Sequence, residues 1–70
     1  MKLGNELKRC RFDKEGMSQE ALAAAVGVTR QTIYSIEKGK FIPSTYLALK
    51  IAKIFDKSVE DIFYIIEETA

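Results

Sequence analysis

Two helix-forming runs between Gln19 and Lys38 are separated by only three residues, Gly27-Val28-Thr29, and this spacing constrains the fold more than any other feature of the chain. A link that short makes the second run leave the first at a steep angle and pack against it. Gln19 to Val26 is rich in Ala and Leu, strong helix formers, and Ser18 before it carries the type of side-chain oxygen that caps a helix start. Gly27 suits the positive φ that commonly ends a helix, and Thr29 caps the next one. Ala23 leaves room for a close crossing, while Leu22, Val26, Val28, Ile33 and Ile36 lock the pair from within.

The second of these helices has two separate faces. At about 100° per residue, Ile36 and Thr29 fall within about 60° of Ile33. Arg30, Tyr34, Lys38, Gln31 and Ser35 span an arc from about 60° to 200° away from it. One side is built for burial, and the other displays hydrogen-bonding groups to solvent.

Around this unit, Leu3, Leu7 and Cys10 recur at i, i+4 and i+7 and predict a first helix from about residue 3 to residue 12, ended by the polar break Asp13 to Gly16. Gly39 closes the third helix. Pro43 and Ser44 mark the start of a fourth, with Leu47, Ile51, Ile54 and Phe55 at helical spacing. Ser58 and Asp61 form a variant capping box that opens a fifth helix around Val59 to Phe63. The run Ile62-Phe63-Tyr64-Ile65-Ile66 is continuously apolar, and periodicity does not distinguish an extended helix from a short strand there. The expected fold is all-α, a compact five-helix domain over residues 1–70, with or without a short C-terminal strand.

Seventy residues provide one core of modest stability, so self-association is a physical expectation. Five consecutive apolar residues at a chain end exceed what one buried face requires. Ile62, Tyr64, Ile65 and Ile66 are therefore expected at a homodimer interface.

Other function classes lack their residues. The chain has no His and a single Cys, so neither a metal site nor an internal disulfide is expected, and Cys10 reads as a small core residue. No nucleophile stands beside a base and no glycine-rich loop could cradle a phosphate, which argues against an enzyme, a cofactor or a small-molecule substrate. The apolar runs fall short of a membrane span and no secretory leader is visible, so the expected location is cytoplasmic. The net charge of +1 is unevenly spread: residues 1–40 hold eight Lys or Arg against five Asp or Glu, and residues 41–70 hold three against five. The basic half contains the paired helices.

The strings Met17-Ser18-Gln19-Glu20-Ala21-Leu22-Ala23, Gly27-Val28-Thr29-Arg30-Gln31-Thr32-Ile33 and Ile36-Glu37-Lys38-Gly39-Lys40 closely resemble the Cro and phage-repressor-like helix-turn-helix family. The resemblance continues through Pro43-Ser44, Ala48 to Ala52 and Val59 to Phe63, as in the short stand-alone regulators of that family. It implies a dimeric repressor of double-stranded DNA that lays its third helix, Thr29 to Lys38, in the major groove of a near-palindromic operator. By position in the pattern, Thr29, Arg30, Gln31 and Ser35 reach bases, Arg30 suiting guanine and Gln31 adenine, and Tyr34 touches bases or the sugar-phosphate chain. Gln19, Lys38 and Lys40 are implied at phosphates, and Arg11 as the structural partner of Glu37. Contacts from Phe41, Ile42 and Tyr46 are left unassigned, because these residues differ from those most often found there. The rival reading is a protein-interaction module, antitoxin-like or regulator-binding, that uses the apolar tail.

Overall fold

Among the described residues, four of the five helices begin at a Ser or Thr whose hydroxyl accepts a hydrogen bond from a backbone amide three residues on. Ser18 caps α2 (Gln19–Val26), Thr29 caps α3 (Arg30–Glu37), Ser44 caps α4 (Thr45–Phe55) and Ser58 caps α5 (Val59–Ile62). These are the starts that the sequence signals. The computed structural model describes residues 1–68; residues 69 and 70, which the single-domain expectation includes, lie outside the described residues.

The first residues of the chain depart from the helical expectation, and its tail takes one of the two alternatives left open. Lys2–Asn5 forms strand β1, helix α1 runs only from Leu7 to Asp13, and Phe63–Ile66 forms strand β2. The strands pair antiparallel, Lys2 with Ile66, Leu3 with Ile65, Gly4 with Tyr64 and Asn5 with Phe63. The apolar tail thus takes the strand alternative, and α5 stops one residue short of Phe63. Leu3 was expected on the first helix and lies on β1 instead. Its spacing to Leu7 satisfies a helical stripe, but the tail strand supplies a partner that a helix at residues 2–5 could not pair with. Asn5 sets the boundary: its Oδ1 accepts the Leu7 N–H at 3.0 Å, and its Nδ2 donates to the Ile36 carbonyl at 3.0 Å.

One continuous core fills the space between the helices. Leu7, Leu22, Val26, Ile33, Ile36, Ile51 and Ile62 are fully buried, with Cys10, Ala23, Leu47, Ala48, Ala52 and Phe63 beside them. Burial pushes the Cys10 thiol pKa up, as expected of a core residue. Ile62 is completely enclosed by its own chain, which removes it from the set of expected dimer contacts. Its place at the C-terminal end of α5, under the sheet, turns it inward, while Tyr64, Ile65 and Ile66 beyond it stay exposed. No helix of the described residues is long and apolar enough to cross a membrane.

Candidate nucleic-acid interface

The close packing of α2 on α3 creates the candidate surface. Gly27 adopts φ 77° and ψ 33°, a conformation that lets the chain reverse within three residues. The Gly27 and Val28 amides both donate to the Ala23 carbonyl, so the turn is hydrogen-bonded as well as short. With Ile33 and Ile36 fixed in the core, the opposite side of α3 faces outward in a fixed orientation.

The expected reading residues occupy that side. Thr29, Arg30 and Gln31 are exposed, and Tyr34 and Ser35 are half-buried at its margin. Thr29 also works for the helix itself, since its Oγ1 accepts the Thr32 N–H and lies 3.1 Å from the Thr32 hydroxyl. Gln31 Nε2 donates to the Ser35 hydroxyl at 3.4 Å, a long bond that leaves most of both groups available. Lys38 caps the C-terminal end of α3 and Lys40 follows in the loop, its amide donating to the Ser35 carbonyl; both side chains are exposed.

Behind Arg30 runs a chain of hydrogen bonds that reaches into the domain. Arg30 Nη1 donates to Gln19 Oε1 at 2.9 Å, and Gln19 Nε2 donates to Glu37 Oε1 at 3.1 Å. Glu37 in turn accepts from Arg11 Nε at 2.6 Å and Arg11 Nη2 at 3.0 Å, while Arg11 Nη1 donates to the Met17 carbonyl at 2.8 Å. The expected Arg11–Glu37 partnership is therefore present and two-pronged.

A carboxylate only accepts, so Glu37 obliges Gln19 to turn its NH₂ inward and its carbonyl outward. That outward carbonyl meets Arg30. Gln19, expected at a phosphate, thus has both ends of its amide engaged within the protein, with the second Nε2 hydrogen left for an external acceptor. The Gln19–Arg30 contact escaped sequence reasoning. No local signal marks it, because the turn joins the end of α2 to the start of α3 and Gln19 stands a full helix away from Arg30 along the chain.

The internal pairing also settles the charge of the face. Arg11 neutralises Glu37, so the acid at the end of α3 does not oppose Arg30, Lys38 and Lys40. Among the described residues none of these three cations is in an ion pair.

A helix-turn-helix family model matches residues 7–62, the span from the start of α1 to the end of α5. The chain belongs to this Cro and phage-repressor-like helix-turn-helix family. Similar proteins include an uncharacterized HTH-type transcriptional regulator, YgzD, of Bacillus subtilis, 55% identical over 60 residues that cover 86% of each chain. An uncharacterized HTH-type transcriptional regulator of Methanocaldococcus jannaschii is 54% identical over 59 residues, covering 84% of this chain and 88% of its own. One from Archaeoglobus fulgidus is 53% identical over 55 residues, 79% of each chain. In this helix-turn-helix protein, the family match leaves the two strands at the chain ends outside its span.

Proposed function

We infer that this helix-turn-helix protein is a sequence-specific DNA-binding transcriptional regulator, a dimeric repressor that acts in the cytoplasm and carries out no catalysis. One observation supports the reading most: the side of α3 opposite Ile33 and Ile36 presents Arg30, Gln31 and Ser35 together, on a helix held by the tight α2–α3 turn. In the major groove, Arg30 would present paired donors to the two acceptors of guanine, and Gln31 a donor and an acceptor to adenine. Thr29 and Tyr34 would flank them. Gln19, Lys38 and Lys40 would take phosphates and fix the register.

The dimer part of this reading concerns β2. Ile65 is 63% exposed and pairs with Leu3, which shares its side of the sheet with Phe63. Leu3 and Phe63 line a groove of about 460 Å³ together with Ile42, Ala48, Leu49 and Val59. We place Ile65 and this groove between the two copies, with Tyr64 and Ile66 at the margin. The residues 1–68 then act as one domain whose partner carries the second reading helix to the next major groove, about 34 Å away. The exposed Ile42 and Leu49 equally favour the second reading, a surface for another regulator.

Selection of bound sequences from a random DNA pool tests the proposal. Enrichment of one near-palindromic site, with affinity falling steeply as salt rises, is the expected result. A pool that stays random, with binding at low salt only, refutes it.

A further inference from the structure

The exposed arc of α3 carries a single aromatic ring, and a cation lies one helical turn to either side of it. Arg30 Cζ is 6.0 Å and Lys38 Nζ 5.7 Å from the centroid of Tyr34. Residues four apart share a helix face, so Arg30, Tyr34 and Lys38 form one stripe. Without the ring, two long flexible side chains on that stripe would sample many rotamers. The π-face of a phenol attracts a cation at these separations. Arg30 has a second anchor in Gln19, whereas the Tyr34 ring is the one partner of the Lys38 ammonium among the described residues.

We propose that Tyr34 is a positioning residue: its ring holds Arg30 and Lys38 along α3 before DNA arrives, so that one side chain sets both the base-reading cation and the phosphate-binding cation. The hydroxyl has no part in this role. Both cations then meet DNA with part of their rotamer freedom already spent, which favours binding. The consequence for DNA rests on the function proposed above; the arrangement of the three side chains does not.

Two substitutions separate the ring from its hydroxyl. Tyr34→Phe keeps the platform, and Tyr34→Leu keeps apolar bulk without it; Tyr34 is half-buried at the surface, so both variants should melt close to the wild type. In NMR spectra of the free protein, ring-current shifts on the Arg30 Hδ and Lys38 Hε protons should be present in the wild type and in Tyr34→Phe and vanish in Tyr34→Leu. On the site selected by the wild type, Tyr34→Phe should bind more tightly than Tyr34→Leu and keep the salt dependence of the wild type. Tyr34→Leu should bind roughly threefold to tenfold more weakly, with less discrimination at the Arg30 base and a shallower salt dependence. Absence of the shifts in the wild type overturns the platform whatever the DNA result. Equal losses in both variants overturn it in favour of a direct hydroxyl contact. Shifts present in a wild type that selects no DNA sequence overturn the DNA-binding reading, and the platform's role with it.

Discussion

Arg11 on α1 and Glu37 at the end of α3 are joined by two hydrogen bonds, 2.6 Å and 3.0 Å, with their side chains only 13% and 7% exposed. The pair ties α3 to a helix distant in sequence. A charge this enclosed is costly once its partner is gone, whereas replacing both charges by apolar groups is often nearly neutral. Arg11→Ala should therefore lower unfolding free energy by about 3 to 5 kcal/mol, and the double substitution Arg11→Met, Glu37→Leu should recover most of it. Denaturant titration of the three proteins decides; a double variant as unstable as Arg11→Ala contradicts the account.

Gly4 allows the two chain ends to pair. A Cβ at Gly4 would clash with Tyr64 Cε2 and lie 2.8 Å from Ile66 Cδ1, both closer than carbon atoms approach. Gly4→Ala should push the exposed ends of the Tyr64 and Ile66 side chains aside at a cost of about 1 kcal/mol or less, and adding Tyr64→Ala should return part of it. Faster hydrogen exchange at the β1 and β2 amides, with α2 and α3 unchanged, is the expected pattern. An unaltered β1–β2 exchange profile would show that the ring does not rest on Gly4.

The helix starts and the α2–α3 turn were legible because each depends on local chemistry. Ser18, Thr29, Ser44 and Ser58 cap within three residues, and Gly27 needs only its own backbone. The first helix was misplaced for the opposite reason. Lys2–Asn5 becomes a strand through pairing with residues more than fifty positions away, and Leu3 fits a helical stripe and a strand face equally well. The same distance hid the fate of Ile62. Five apolar residues in a row suggest one surface, but α5 turns Ile62 inward before β2 begins. At the candidate interface the residue types were readable from the arc opposite Ile33. The relay from Arg11 through Glu37 and Gln19 to Arg30 was not, since it depends on three helices meeting.

The sheet carries a pH-sensitive contact. Tyr64 Oη donates to Glu6 Oε2 at 3.2 Å, and this hydrogen bond to the carboxylate raises the phenol above its ordinary value near 10. A group whose pKa is higher in the folded state stabilises fully below its unfolded pKa, and that contribution disappears as pH rises through the folded value. The Tyr64–Glu6 contribution should accordingly be constant through neutral pH and fade only above about 10. In ultraviolet titration, the transition lost in Tyr64→Phe should lie above that ordinary value, and Glu6→Gln should bring it down. A Tyr64 transition unmoved by Glu6→Gln would remove the contact from the account.

The proposed function has α3 reading DNA bases through the arc headed by Arg30. Selecting bound sequences from the same random pool with the wild type and with Arg30→Ala tests it most directly. The wild type should return a near-palindrome with a fixed base at the Arg30 position of each half-site. Arg30→Ala should bind about 1 to 3 kcal/mol more weakly and leave that one position degenerate while the other positions hold. Recovery of an identical motif by both proteins would contradict the claim.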